Sequence, residues 1–250
     1  MKDIALRALS SLDLTNLNEE CDADDIRELC ARAQTRHGPV AAVCIWPQHV
    51  AQAKMILGPT PVRVATVVNF PQGDHPASDV IALTEKAVED GADEIDMVIP
   101  YKALLEGHPE NIPARVARVK EAADGKRVKA ILETGVLKDT ALIAEASKLA
   151  IDGGADFIKT STGKVAVNAT LQAARVMLET LAETDPTVGF KPAGGVKTTE
   201  DAAAYLALCD EIMGPDWVTP QTFRIGASGV LEALLATLEG RDAVASGAEY

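Results

Sequence analysis

The feature that most constrains the fold of this 250-residue chain is a regular alternation of two kinds of segment. Short apolar runs rich in β-branched residues end in polar, Gly or Pro residues, and each is followed by a longer stretch with helical periodicity. This is the pattern of the βα unit, in which successive strands lie parallel. Seven runs are clear and an eighth, SLDLT, is short; the predicted strands are 11–15, 40–47, 62–71, 94–101, 128–135, 156–163, 187–195 and 223–228.

Amphipathic helices are predicted between these strands from their apolar spacing and their capping residues. Ser78 is expected to cap one helix that stops at Gly91, and Pro113 is expected to begin another. The predicted helices are 24–34, 47–57, 78–91, 113–124, 138–154, 170–183, 199–209 and 229–240.

Eight parallel strands with intervening helices close into a barrel, which typically needs about 250 residues. We therefore predict an α/β fold, a single (β/α)8 TIM barrel that forms one domain over residues 1–250, with a flexible C-terminal tail at 241–250. The alternative is an open doubly wound sheet. The nucleotide-binding GxGxxG sequence that would favour it does not follow the first strand.

Charge and cysteine content exclude several classes of protein. A net charge of -13 and a pI near 4.8 argue against binding to nucleic acid or to anionic membranes. No apolar run reaches the roughly 18 residues of a membrane span and no secretory leader is evident, which predicts a cytoplasmic protein. The four cysteines form no CxxC pair and no metal-ligand pattern with the four histidines, so we expect neither a disulfide framework nor a bound metal.

Two lysines lie inside apolar strands near their carboxyl ends, where the active site of such a barrel is found. They are Lys159, after Phe157 and Ile158, and Lys191, after Gly189 and Phe190. Burial and a neighbouring cation both lower the pKa of an amine, which makes it able to attack a carbonyl. Either lysine alone is better explained as a strand-end residue that extends to solvent, but two at the same place in successive units favour a Schiff-base site.

Acidic residues in the strands are candidate partners for these amines. Alternation places Asp96 and Glu94 on one face of their strand, where Asp96 either exchanges protons beside a lysine or bonds to a strand-edge amide. Glu133 is a weaker candidate, expected to line the site or to pair with the lysines.

Glycines follow the last three predicted strands. Gly163-Lys164, Gly194-Gly195 and residues 226–229 would let backbone amides approach an oxyanion, and Lys164 and Ser228 lie beside them. Loops at this position commonly hold the phosphate of a sugar phosphate in such barrels. Turn geometry alone would also explain any one of these glycines.

Several segments together resemble the deoxyribose-phosphate aldolase family. The resemblance runs in order from about Leu12 to Leu235. Its segments are LDLTNLN (12–18), ADEIDMVIPY (92–101), ETGVLKD (133–139), DFIKTSTGKVAVNAT (156–170), VGFKPAGGVK (188–197) and FRIGASG (223–229).

The resemblance implies a homodimeric class I aldolase that needs no metal or other cofactor and reversibly cleaves 2-deoxy-D-ribose 5-phosphate into acetaldehyde and D-glyceraldehyde 3-phosphate. It implies that Lys159 forms the Schiff base, that Lys191 lowers the pKa of Lys159, and that Asp96 is the general acid and base. The residues that it implies for phosphate binding are Thr162, Gly163, Lys164, Gly194, Gly195, Ser228 and Gly229.

Two points of the resemblance are less direct. Related sequences often read GASS where this chain reads GASG, so Gly229 offers only its amide to a phosphate. The chain ends in Tyr250, and a terminal Tyr in related aldolases is thought to assist proton transfer, although a tail residue without a role would look the same. The alternatives are another class I aldolase and a phosphosugar-binding barrel without turnover.

Overall fold

A computed structural model of the protein describes residues 1–241. Its main feature is a sheet of eight parallel strands that follow one another around a barrel. Parallel bridges from Phe190 to Phe223 and from Ala193 to Gly226 join the last two strands and close the ring. The strands are β1 (Leu12–Asn16), β2 (Ala42–Ile45), β3 (Arg63–Val68), β4 (Glu94–Val98), β5 (Arg127–Ile131), β6 (Phe157–Lys159), β7 (Gly189–Lys191) and β8 (Ile225–Ala227).

Helices cover the outside of the barrel, and neighbouring helices pack against one another. A short antiparallel hairpin, Gln34–Thr35 with Gly38–Pro39, precedes β2, and a 3-10 turn, Pro47–His49, follows it. The helices of the described residues are α1 (Lys2–Ser10), α2 (Ala23–Arg32), α3 (Val50–Leu57), α4 (Ala77–Glu89), α5 (Tyr101–Leu105), α6 (Asn111–Ala122), α7 (Thr134–Leu137), α8 (Thr140–Asp152), α9 (Leu171–Thr184), α10 (Thr199–Met213) and α11 (Val230–Glu239).

The predicted barrel and all eight predicted strands are confirmed, including the short first strand. Two helix starts were wrong. The α4 helix begins after Pro76, which leaves Ser78 within its first turn, and α6 begins at Asn111, two residues before Pro113. Pro113 is compatible with either the first residue or the first turn of a helix, and Ser78 can either cap a helix or lie in its first turn, so neither residue alone fixes a helix start.

Three helices, α1, α5 and α7, were missed. The last two have five and four residues, too few for an amphipathic period to show. The first precedes the repeating pattern and packs against α10 and α11.

Apolar residues fill the space between the strands and the helices, but the interior of the barrel holds charged side chains as well. Phe157 shows how tightly this interior is packed. A Cβ atom at Gly189 on the neighbouring strand would lie 2.4 Å from its ring, so the ring occupies space that only a glycine leaves open. The predicted tail at 241–250 lies outside the described residues except for Arg241.

Candidate active site

Three lysines converge on one carboxylate inside the barrel. The amines of Lys159 and Lys191 lie 3.0 and 2.7 Å from the same oxygen of Asp96, and Lys129 donates to its other oxygen at 2.6 Å. Asp96, Lys129 and Lys191 are completely buried, and Lys159 is 2% exposed. Of the two alternatives left open for Asp96, the structure shows the one with a lysine partner, and it adds two further lysines.

Strand register explains why these residues meet. Lys159 lies beside Lys191 where β6 pairs with β7, and Asp96 lies beside Lys129 where β4 pairs with β5. Side chains at paired positions of parallel strands point to the same face of a sheet. Gly226 on β8 leaves room for Lys191, because a Cβ atom there would lie 3.0 Å from the Lys191 Cε atom.

Ion pairs extend from these lysines towards the amino end of the barrel. Asp13 accepts from Lys191 at 2.5 Å and from Arg224 at 2.6 Å. Glu94 binds Arg224 at 2.7 Å and Lys129 at 2.6 Å. Arg127, which is partly exposed, also donates to Glu94 at 2.8 Å. We call the buried members of this connected set the interior charge cluster: Asp13, Glu94, Asp96, Lys129, Lys159, Lys191 and Arg224.

Charge balance within this cluster distinguishes Lys159 from the other cations. Three carboxylates face four basic groups, and a buried charge without a counter-charge is costly. Lys129, Lys191 and Arg224 each contact two carboxylates within hydrogen-bonding distance, whereas Lys159 contacts Asp96 alone. Lys159 is therefore the member whose proton the cluster stabilises least.

The pKa directions agree with this geometry. Burial, followed by the Lys191 charge, lowers the pKa of Lys159 despite Asp96. Burial alone would lower the pKa of Lys191, but Asp13 and Asp96 raise it well above its ordinary range. Burial alone would also lower the pKa of Lys129, but Asp96 and Glu94 raise it above its ordinary value. Of the three amines, that of Lys159 therefore loses its proton most easily, while Lys191 and Lys129 stay protonated.

The carboxylates of the cluster remain ionised. Burial would raise the pKa of Asp96, but the three lysines hold it well below its ordinary value. Glu94 is lowered to a pKa of about 2 by Lys129 and Arg224, again against burial.

Of the two roles expected for Glu133, lining the site or pairing with the lysines, the second is not seen, since no ion pair with a lysine is present among residues 1–241. It follows β5 in a left-handed backbone conformation and accepts hydrogen bonds from the amide and the hydroxyl of Thr162 at 3.2 and 2.5 Å. Burial raises its pKa, although the bonds from Thr162 oppose the shift. Glu133 therefore fixes the loop that follows Lys159.

A glycine-rich cavity of about 410 Å³ lies at the carboxyl ends of β6, β7 and β8. It brings together five of the seven residues predicted to bind phosphate, and α11 begins at Val230 beside it. Gly163, Gly194 and Gly195 have φ values of 86°, 78° and 86°, which favour glycine. The five predicted residues that line it are Gly163, Gly194, Gly195, Ser228 and Gly229.

The other two predicted phosphate residues do not line this cavity. Thr162 is fully buried and bonded to Glu133, and the amine of Lys164 donates to the Leu17 carbonyl at 2.9 Å. Lys197 and Asn168, which sequence reasoning missed, do line it. Lys197 directly follows the GFKPAGGV segment, whose glycines were predicted to bind phosphate, so its place in the sequence could have identified it as a further lining residue.

Sequence reasoning also missed Asp13, Lys129 and Arg224. Lys129 lies inside an apolar strand, as Lys159 and Lys191 do, and the same criterion would have found it. Asp13 is the second residue of β1 and Arg224 directly precedes β8. Charged residues are common at strand ends, so these two positions did not stand out in the sequence. Tyr250 lies outside the described residues.

Metal-ligand clusters and membrane-spanning helices are both absent from residues 1–241. No group of three or more His, Cys, Asp or Glu side chains could hold a metal ion. No helix in this range combines the length and the apolar character that a bilayer crossing requires.

A parallel barrel whose interior buries paired lysines, below a glycine-rich cavity, is the architecture of an aldolase. Comparison with known proteins gives the family. The sequence model of DeoC/LacD family aldolases matches residues 7–215. The chain is 52% identical to the deoxyribose-phosphate aldolase of Agrobacterium fabrum over 251 aligned positions, which cover all of this chain and 97% of that protein.

Solved structures show the same fold. A Toxoplasma gondii protein assigned as a deoxyribose-phosphate aldolase superposes with a TM-score of 0.89 at 24% identity over 96% of both chains. The tetrameric deoxyribose phosphate aldolase of Aeropyrum pernix gives 0.78 at 22% identity over 94% of this chain and 96% of that one. This chain belongs to the DeoC/LacD aldolase family, and the resemblance noted in the sequence is confirmed.

Proposed function

We propose that this chain is an aldehyde-lyase that reversibly cleaves 2-deoxy-D-ribose 5-phosphate into acetaldehyde and D-glyceraldehyde 3-phosphate through a Schiff base on Lys159. The substrate follows from the family and from the relative that is 52% identical over the whole chain. The observation that carries the mechanism is the charge balance of the interior charge cluster, which leaves Lys159 as its least stabilised cation.

In the first step the neutral amine of Lys159 attacks C1 of the open-chain sugar. A C–N bond forms and the carbonyl oxygen leaves as water, taking one proton from the amine and one from solvent, which gives a protonated imine in place of the carbonyl. Asp96, 3.0 Å from the amine, offsets the new positive charge. Lys191 stays protonated between two carboxylates and therefore does not compete as a nucleophile.

In the second step the C2–C3 bond breaks. A base takes the proton of the C3 hydroxyl, the C3–O electrons form the carbonyl of glyceraldehyde 3-phosphate, and the bonding pair moves into the imine to give an enamine. Asp96 is the proposed base, and its low pKa keeps it in the ionised form that a base requires. Because Asp96 is completely buried, a water molecule is the proposed relay.

Protonation of the enamine carbon and hydrolysis of the imine then release acetaldehyde and restore Lys159. The imine accepts the electron pair during cleavage, so a metal ion is not needed for this step. We therefore propose a class I aldolase that works without a metal or another cofactor.

The glycine-rich cavity is the proposed phosphate site. Its three glycines with positive φ bring the backbone close to a ligand, and the start of α11 favours an anion. Thr162 and Lys164 point elsewhere, so we assign them to holding the loop around Gly163 through Glu133 and the Leu17 carbonyl.

Two further proposals concern the protein as a whole. We propose a homodimer, on the family resemblance, and light scattering after size-exclusion chromatography tests it. We also propose a cytoplasmic enzyme, because its phosphorylated substrate carries charge that a bilayer excludes. Cell fractionation followed by an activity assay tests the location.

Mass spectrometry after borohydride reduction in the presence of acetaldehyde tests the mechanism. Reduction of the imine should leave an ethyl group on Lys159, found by peptide mapping, and Lys159→Ala should show none. An adduct on Lys191 or Lys129 instead would reassign the nucleophile. A folded protein that binds sugar phosphate and forms no adduct would be a binding barrel without turnover.

A substrate comparison separates this reaction from those of other class I aldolases. We expect condensation of glyceraldehyde 3-phosphate with acetaldehyde and not with dihydroxyacetone phosphate. Efficient use of dihydroxyacetone phosphate as the donor would contradict the substrate assignment.

A further inference from the structure

We propose that the amino end of the barrel, opposite the glycine-rich cavity, is a second anion site, which binds a small molecule with at least two linked phosphoryl groups. Arg63, Lys126 and Arg127 are the groups that we assign to it. The site plays no part in the chemistry proposed for Lys159, so it can fail without affecting that proposal.

The site is a cavity of about 970 Å³, more than twice the volume of the glycine-rich cavity. We call it the amino-end cavity. Helix α1 and the segments that lead into most of the strands form its wall, and the wall includes Arg63 at the start of β3 and Arg127 at the start of β5. Its volume lies in the range of ordinary small-molecule sites.

Basic residues are concentrated here although the chain carries a net charge of -13. An arginine or lysine cluster on an acidic protein opposes the overall field, so it needs a local explanation. The basic residues of the wall are Arg7, Arg63, Lys126, Arg127 and Arg224, of which Arg7 pairs with Asp210 at 2.6 Å and Arg224 is buried against Asp13 and Glu94.

Two of the three acidic residues of the wall, Asp93 and Asp156, have cationic partners on their outer sides, whereas the third, Glu94, pairs with Arg127 and Arg224. Asp93 lies 2.7 Å from the amine of Lys54, and Asp156 pairs with Lys120. Both carboxylates also accept a backbone hydrogen bond from a strand, at 2.9 and 2.7 Å. Glu94 offsets Arg127 and Arg224, but Asp93 and Asp156 leave Arg63 and Lys126 with little neutralisation.

Two of the basic residues are left with little compensation. Arg63 has a side chain that is 61% exposed, and its nearest carboxylate oxygen, on Asp93, is 3.9 Å away. Lys126 makes no ion pair with any residue in the range 1–241. Arg127 shares Glu94 with Arg224 and Lys129, and its side chain remains 28% exposed.

The floor of the cavity is rigid. The guanidinium groups of Arg127 and Arg224 lie 5.4 and 5.8 Å from the centre of the Phe157 ring, which fixes them in addition to their bonds to Glu94. Arginines held in this way lose less conformational entropy when they bind an anion.

The spacing of the strands favours two phosphoryl groups over one. β3 and β5 are separated by β4, and Arg63 lies two residues before the position in register with Arg127, so the two residues lie roughly 12 Å apart. A ligand with two linked phosphoryl groups can offer charged oxygens to Arg63 on one side and to Lys126 and Arg127 on the other. Arginine forms paired hydrogen bonds with such oxygens.

Isothermal titration calorimetry with inorganic pyrophosphate tests this site. The Gly195→Asp protein is titrated so that the glycine-rich cavity, which would also attract pyrophosphate, is blocked. We expect one bound pyrophosphate per chain. Removing two cations in Arg63→Gln/Lys126→Gln should weaken the binding at least about tenfold. The matched control Arg118→Gln/Lys148→Gln removes two exposed cations outside the cavity and should leave the affinity unchanged.

Several results would overturn the proposal. Loss of all binding in Gly195→Asp would place pyrophosphate at the carboxyl end alone, and equal weakening in both double variants would indicate a general charge effect. Inorganic phosphate that binds as tightly as pyrophosphate would reject the requirement for two phosphoryl groups. Circular dichroism checks that each variant is folded, and Lys126→Gln alone repeats the test if the double variant is not.

Discussion

The two ends of this barrel differ in the groups that we propose bind anions. At the carboxyl end the glycine-rich cavity is lined by the backbone of Gly163, Gly194 and Gly195, which all adopt positive φ. At the amino end the wall of the larger cavity offers long basic side chains, Arg63 and Lys126 among them. Cavity size therefore does not identify the catalytic end, and the position of the least stabilised buried amine does.

The difference has a physical basis. Backbone donors cannot swing away, so a site built from them holds a phosphate at a fixed distance from a reacting carbonyl, which catalysis needs. A site built from side chains tolerates more than one ligand shape. The interior charge cluster lies between the two ends: Glu94 and Arg224 border the amino-end cavity, while Asp96 and Lys159 lie further towards the carboxyl end.

Replacing Lys159 should affect the carboxyl end alone and give the largest effect. Lys159→Ala should lower the turnover of deoxyribose 5-phosphate at least about 10⁴-fold, because the nucleophile is lost. The fold should persist, since this cation is the surplus charge of the cluster. Steady-state kinetics, circular dichroism and pyrophosphate titration measure the three properties. Normal turnover would refute the mechanism, and loss of pyrophosphate binding would show that the two ends are not separate.

Glu94 tests the region between the two ends. Glu94→Gln should lower the free energy of unfolding by about 3–5 kcal/mol, because Arg224 and Lys129 lose a buried counter-charge. In the parent protein the Glu94 contribution is present above its ordinary pKa of 4.5 and is lost as the pH falls towards about 2.

Urea denaturation across this range checks both statements about Glu94. The variant should show a smaller loss of stability with acid than the parent protein, and Glu85→Gln, at an exposed position, serves as the control. Equal acid sensitivity of the parent and Glu94→Gln would mean that Glu94 is not the group that titrates.

Lys191 tests the electrostatics of the carboxyl end. Lys191→Met removes the cation that lowers the pKa of Lys159, so that pKa should rise and less of the amine should be neutral at a given pH. The acid limb of the kcat/KM profile should move to higher pH, and kcat/KM at neutral pH should fall about 100-fold. Lys148→Met is the control. An acid limb that stays in place would show that Lys191 acts otherwise than through charge.

Gly195 tests the phosphate site and should give the smallest effect. Gly195→Asp places a negative charge in the glycine-rich cavity and should raise KM about tenfold for phosphorylated substrates, with little change for unphosphorylated aldehydes. Gly195→Asn is nearly the same size and meets the same backbone strain at φ 86°, so the difference between the two variants isolates the charge. Equal effects on both substrate classes would remove the phosphate assignment.

Local patterns determined much of this structure. Alternation and breaker residues located all eight strands, and the position of Lys159 and Lys191 within their strands identified both as interior residues. These features depend on the residue and its immediate neighbours, which is why sequence reasoning reaches them. Sequence reasoning missed the short helices and misplaced the starts of α4 and α6. Several residue types are compatible with the first turn of a helix, so the first residue is not fixed by its neighbours alone.

The sequence alone determined the order of strands, the barrel and the chemistry of the catalytic candidates. Only the tertiary structure decided which charges meet: Asp13 joins Arg224 across 211 positions of the chain, and Lys164 turns to Leu17 while Lys197 lines the cavity. The protonation of each lysine depends on those distant partners. Alternation along a strand determines on which face of the sheet a side chain lies. Closure of the barrel determines which neighbours surround it, and these neighbours set its protonation state.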